Sequence, residues 1–466
     1  MERDTIRRSS RFRPEAQRVE GRQLLSGLPA YLRGIPPELE QTLRTGVAIH
    51  LVRPNTPVAP FGAPSSPTFV DPSVRLRRGF QTLIGSKSYV APFALLDASA
   101  GYIKIGTGSN VLDNATIVGN PNHLPQPAAV LIGDQVSIGP GATVLGPATI
   151  GAYGKAAAPT RIGANALIDG ATIMPGAIVS GLARVGPGVV VPSGMKVQPG
   201  VDVTTEAEAT DPKLGFVTPV TSTDTSQLKA ILANNTTLAA GYTNLYQGQS
   251  ATGVSPGVPT TVKNVFTGNL STVEGVGPEP GTSTVAFEPS SGSPSFLAPD
   301  GSLATATSVE FSTRIIGRAE FAARLKQVAY RLGRHTSIRA DQSQPFTFDG
   351  APTTGQGVTI AAPLLYTPTS TTEPTFTTPN LVFGTNLVVG PGAVILGGQT
   401  SSTSTQYVVG DNVNIGSGAY INQSSIGTGS IVGARAYISG TTLPAGTVVP
   451  PGTVIVNNKV TGTVQW

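Results

Sequence analysis

An aliphatic residue returns at every sixth position through the first half of this chain. Ile132, Ile138, Val144 and Ile150 set the phase, and after a short insertion it resumes at Ile162 and Ile168. One residue is then dropped, and the period runs on through Ile173, Val179, Val185, Val191 and Val197. Neither a helix, with a period of about 3.6, nor an alternating strand, with a period of 2, produces this spacing. A fixed period sustained over many repeats marks a solenoid. Each hexapeptide reads as a short strand and a tight corner, three make a triangular coil, and coils stack at about 4.8 Å. The glycines that follow the aliphatic residue, as in Ile132-Gly133 and Ile138-Gly139, are expected to supply corner φ values closed to bulkier residues.

The period returns near the C-terminus at Phe383, Val389, Ile395, Val409, Ile415, Ile421, Ile426, Val432, Ile438, Leu443, Val449 and Ile455. Val185–Met195 aligns without a gap on Leu443–Thr453, and Ser137–Gly146 on Val388–Gly397, which reads as an internal duplication. The expected organisation is a basic arm and linker over 1–72, a first array over 73–203, a helix with a Gly/Ser/Pro/Thr-rich insertion over 204–309, and a second array over 310–466. Within 222–247, Leu228, Leu232, Leu238, Tyr242 and Leu245 fall roughly on one helical face. Residues 248–315 read as extended loops. Residues 318–334 carry Phe321, Leu325, Val328 and Leu332 at helical spacing, which predicts an amphipathic helix lying along a β-helix flank.

Composition agrees with a solenoid: 56 Gly and 40 Pro in 466 residues, with 12% charged residues, suit neither a disordered polyampholyte nor an ordinary helical enzyme. The absence of cysteine excludes disulfides, thiolate metal sites and cysteine nucleophiles. Arg3, Arg7, Arg8, Arg11, Arg13, Arg18 and Arg22 make the arm basic, but a basic arm of this kind reads as a solvated tail, so no nucleic-acid partner is expected. No apolar run reaches the ~18 residues of a spanning helix, so no transmembrane segment is expected. Phe12–Ser26 resembles an N-terminal element of large exported bacterial proteins, which implies export or association with the cell envelope; otherwise the chain is cytoplasmic.

Several linked motifs resemble the γ-class carbonic anhydrases. Ile105–Val118 is similar to that family's Ile-Gly-x-x-Thr-Asn-Ile-Gln-Asp-Gly-Val-Val-Ile-His, and Ser337–Phe346 to its Ser-Ile-Arg-Ala-Asp-Glu-Gly-x-Pro-Phe. Val191–Val197, followed by Leu238–Tyr242, is similar to the carbonic-anhydrase-like domain of carboxysome scaffold proteins. The resemblance implies a mainly β fold of two left-handed parallel β-helix arrays with one or two short α-helices, and association into a homo-oligomer, a trimer in the family. Left-handed coiling comes from the hexapeptide families, since general crossover chirality would favour the opposite hand.

The resemblance also implies zinc held by three histidines across subunits, with the metal-bound water as nucleophile. Carried onto this chain, those positions fall on Val118, Pro140 and Leu145 in the first array, and on Ala361, Pro391 and Leu396 in the second. A second register over Val409–Asn422 gives Ser417 and Asn422. No metal site and no cofactor is therefore expected, and the implied function is a non-catalytic structural or binding role. The alternative is an active carbonic anhydrase, with zinc, or a hexapeptide-type acyltransferase with relocated catalytic residues. His123 is the candidate base in that case, being one of only three histidines beside His50 and His335. Arg339 and Asp341, the surviving Arg–Asp context of the family, are the candidate ligand-binding residues. Asp97 and Asp113 stand at the other charged motif positions and read equally well as an ion-pair scaffold.

Overall fold

Ile132 lies beside Ile150, three hexapeptides further on, in parallel register, so the six-residue period does close into coils of three strands. The computed structural model describes residues 68–71, 74–77, 81–119, 129–247, 272–273, 295–297, 303–305, 308–309, 314–321, 331–339, 346–349, 352–361, 381–398 and 406–466. All belong to one compact unit, Val52–Trp466.

The first array is a three-faced prism. Face 1 stacks strands from Phe69–Val70 to Met195–Val197, face 2 from Arg75–Arg77 to Asp202–Val203, and face 3 from Thr82–Ile84 to Val190–Val191. Every step within these faces is parallel and in register, so like side chains stack. The ladders Leu96–Ile117–Val144–Ile168–Val185–Val203 and Ile84–Ile105–Ile132–Ile150–Ile173–Val191 point inward and are buried. The second array repeats this plan. Its face 1 runs from Ser308–Val309 to Val448–Val449, face 2 from Ser337–Arg339 to Thr453–Val456, and face 3 from Phe346–Phe348 to Thr442–Leu443. Phe346, Phe348 and Phe383 lie in its core, with Phe348 stacked on Phe383 at 4.5 Å. This is the coiled parallel β-helix expected from the repeat, in the left-handed class that the resemblance implies.

Of the glycines after the aliphatic residue, Gly151 has the expected positive φ, at 71°, but Gly133 and Gly139 serve a different purpose. Gly139 has no positive φ; a Cβ there would stand 2.7 Å from the backbone N of Ala164, one coil on. It is small because neighbouring coils approach closely. The left-handed conformation falls two residues later, at Gly141 with φ 67°, and in other coils that slot holds non-glycine residues.

Two α-helices follow the first array. The short α1, Glu206–Thr210, starts on a reciprocal capping box between Thr205 and Glu208. The second, α2, Ser222–Gln247, is 26 residues long and begins with Thr221 and Asp224 capping each other. Lys196 holds Asp224 at 2.6 Å, and α2 runs from there over face 1, burying Leu228 and Leu232 against it. The expected helix over 222–247 is therefore present; the side chains of Leu238, Tyr242 and Leu245 lie outside the described residues.

The helix expected over 318–334 is absent where the chain is described. Arg314–Phe321 is a strand whose first half pairs with Ser337–Arg339 and whose second half pairs with Phe346–Phe348, so it turns the corner from face 2 to face 3. Arg331–Leu332 is a strand of face 1. Pairing with the next coil overrides the helical spacing of the apolar residues, a tertiary effect that local pattern does not carry. The insertion read as loops likewise contains short strands, among them the antiparallel pair Ser295–Leu297 and Leu303–Thr305.

Candidate functional site

The two prisms lie side by side and meet along a seam of corner residues. In the first array the corner between faces 1 and 2 carries Phe93, Asn114, Asn165 and Leu182, all at positive φ. The matching corner of the second array carries His335, Gly392, Gly418 and Arg435, again at positive φ. Left-handed backbone is unfavourable for bulky residues and persists where surrounding structure fixes it. Here the partner array does so. Asn114 Nδ2 donates to His335 O and to Thr359 Oγ1, both at 3.1 Å. Asn165 Nδ2 donates to Gly392 O at 3.0 Å and Gly418 O at 3.2 Å. Phe93 and His335 face each other at 5.2 Å. Beside them Ala164 and Leu182 bury Val394 and Tyr420, with Leu396 and Tyr437 packed against the same cluster.

At the centre of the seam Asp113 enters the second array. Its Oδ1 accepts from Ser337 Oγ at 2.6 Å, and its Oδ2 stands 2.5 Å from Arg339 Nη2. The second is a close charge contact rather than an aligned hydrogen bond. Both partners are buried, so the attraction between them acts with little screening by water.

The last residues of the chain close the far end of the seam. Gln465 N donates to Gly200 O at 2.8 Å, Gln465 Oε1 accepts from Asp202 N at 3.0 Å, and Trp466 Nε1 donates to Leu182 O at 2.7 Å. Arg435 lies 4.3 Å over the Trp466 ring. Nothing in the hexapeptide period announces this latch.

Among the residues singled out from the sequence, Arg339 is at the seam with Asp113 as its charged partner, and Asp341 lies outside the described residues. His123 and His50 lie outside them as well. His335 sits on the seam corner. Burial, then the charges of Arg75 and Arg334, hold its pKa below the ordinary histidine value. Asp97 faces away from the seam, paired with Arg77 at 3.0 Å and capping Ser99 N. Burial alone would raise its pKa, but the Ser99 and Arg77 bonds outweigh burial and hold it low.

The positions to which the resemblance carries the zinc ligands are occupied by groups of another kind. Val118 and Leu145 are adjacent rungs of face 2 in the first array, and Ala361, Leu396 and Asn422 are successive rungs of face 2 in the second. Alkyl side chains offer a metal no lone pair. Asn422 donates its amide to Ser439 Oγ at 3.1 Å. Among the described residues no three His, Asp or Glu side chains come together as a ligand set. The residues present do not fit the family's zinc.

No family model and no curated protein matches the sequence. Among solved structures the chain is similar to a putative acetyltransferase of Bacillus cereus, with 20% identity over 39% of this chain and 91% of that one and a TM-score of 0.23. It is also similar to a hexapeptide transferase family protein from Anaplasma phagocytophilum, with 18% identity over 37% and 91% and a TM-score of 0.21. A third is a mutant of GDP-perosamine N-acetyl transferase from Caulobacter crescentus, with 21% identity over 30% and 51% and a TM-score of 0.14. The likeness is one of hexapeptide-repeat fold. No helix among the described residues is long and apolar enough to cross a membrane.

The seam carries a pH prediction. Because the folded state favours neutral His335, the unfolded chain binds the proton first as pH falls through the ordinary histidine range, and stability drops there. The free energy of unfolding from urea titration is expected to decline between pH 7.5 and pH 5.5 by less than about 1 kcal/mol, since the ring is partly exposed and its charge screened. His335→Phe, which copies Phe93 at the matching corner, is expected to flatten that decline, as measured by urea titrations at the two pH values.

Proposed function

We propose that this chain is a non-catalytic relative of the γ-class carbonic anhydrases, duplicated within one polypeptide, whose prisms serve as a structural or binding scaffold. The observation that carries this reading is the state of the seam. Asp113, Ser337 and Arg339 bind one another, and Leu396 packs against the hydrophobic cluster of the opposite corner. Groups that could otherwise orient a small anion are thereby engaged in joining the arrays. The outward faces of two long prisms remain as the working surface, and the N-terminal element that resembles exported proteins would place that surface at the cell envelope.

The test is elemental analysis of the full chain purified without a tag from zinc-supplemented medium, followed by assays of CO2 hydration and acetyl-CoA turnover. The reading expects zinc far below one per chain, CO2 hydration at the uncatalysed rate and no acetyl transfer. Stoichiometric zinc with chelator-sensitive hydration would establish the carbonic anhydrase alternative. Acetyl transfer lost in His123→Ala would establish the acyltransferase.

A further inference from the structure

We propose that the two arrays are two members of a three-prism ring, and that the third place takes a different chain carrying a single hexapeptide prism. The seam is heterologous, joining unlike surfaces of the two prisms. The first array contributes the corner between faces 1 and 2 and the adjoining side of face 1, where Arg161 reaches the Tyr420 hydroxyl. The second contributes the same corner and the adjoining side of face 2, with Ser337, Arg339, Leu396 and Tyr420. The prisms are also level. Phe93 follows the second strand of face 1 in its array and meets His335, which follows the second in its own. Asn165 and Gly418, joined by a hydrogen bond, both follow the fifth. The operation that carries one array onto the other is a rotation about an axis parallel to the prisms, without a slide along it. A heterologous contact of that kind repeats into a closed ring.

The triangular section sets the size of the ring. Triangular prisms that meet corner to corner are related by a half turn, and those that meet flat, face 1 to face 2, by about a sixth of a turn. A contact of corner and adjoining face on both sides lies midway, at about a third of a turn. Helix α2 occupies the wedge this leaves beside face 1, with Asp224 close enough to Tyr437 to act on its charge. Each seam surface thus exists twice in the chain and is used once. Ser137 on face 1 of the first array is 1% exposed, whereas Val388, its equivalent in the second, is 43% exposed. Ile431 and Val448 continue that open column at 48% and 65%. Leu396 on face 2 of the second array packs into the seam cluster, whereas Leu145, its equivalent in the first, stands outside it and is partly exposed. A second copy cannot take the third place: with either of its arrays there, its own seam would set the other on an array already in the ring. The occupant has one prism, whose face 2 meets Val388 and Ile431 and whose face 1 meets Leu145. It is gripped from two sides, and its place is open whether or not either array binds zinc.

The test is to recover the full chain, tagged, from the cells that make it, and to identify what accompanies it by mass spectrometry and light scattering. A complex of one copy with one chain of a single hexapeptide array is expected. Val388→Glu with Ile431→Glu, and separately Leu145→Glu, should each cut recovery of that partner at least about tenfold, since each sets a charge in one of its two contacts. Both should melt as the wild type does, because these side chains already reach solvent within the chain. Val408→Glu, on face 3, lies outside both contacts and should keep the partner. The purified chain alone should sediment as a monomer. A dimer of the chain alone would mean a ring of four prisms and would overturn the proposal. So would a lone monomer recovered from its own cells, a partner without the hexapeptide period, or a partner retained in either surface variant.

Discussion

Asp113→Ala is expected to cost about 3–5 kcal/mol, because it takes a buried counter-charge from the Arg339 guanidinium. The single tryptophan, Trp466, lies on the same seam and reports it directly. In urea the fluorescence transition should move to lower denaturant and precede the loss of β-sheet circular dichroism, because the prisms part before either unwinds. Replacing both partners, Asp113→Leu with Arg339→Met, should recover most of the loss, since an apolar pair of similar volume needs no counter-charge. A shift of less than about 1 kcal/mol in Asp113→Ala would mean that the pair behaves as a solvated surface bridge and does not hold the seam.

Removing residues 459–466 is expected to be equally severe. The deletion takes away three hydrogen bonds to the first array, each worth about 1 kcal/mol, and the Arg435–Trp466 contact, worth about 0.5–2 kcal/mol. It also uncovers the edge of Thr453–Val456, against which Lys459–Thr463 pairs antiparallel. A bare strand edge recruits other chains, so light scattering on mild heating should rise far earlier than in the full chain. Trp466→Ala alone keeps the edge covered and should lose about 2 kcal/mol without the scattering. A truncated chain that melts like the full one and stays clear would show that the tail is not a latch.

The core was legible from the sequence because a solenoid writes its interior as a period. The aliphatic residues named from that period in both arrays lie inside the prisms. The seam was not legible as a seam. Asp113 and Arg339 each stood out within a separate motif, but their pairing depends on how two prisms pack, and packing has no period. One signal was available in hindsight of the geometry. On the corner between faces 1 and 2, Phe93, Leu182 and His335 occupy left-handed slots that other coils fill with glycine or asparagine, and each packs against the opposite array. The false helix over 318–334 is the converse case, where local spacing was clear and strand pairing prevailed.

Both prisms are finished in the same way. The first array ends under Val217–Pro219 and the second under Lys459–Thr463, each laid antiparallel on the last parallel strand of its stack. An antiparallel strand presents the wrong hydrogen-bond pattern to a further parallel coil. End-to-end growth into a filament requires every subunit to offer two complementary growing ends. With one face of each prism capped at that end, a further coil cannot dock there with all three of its strands paired in parallel, and growth along the prism axis is opposed.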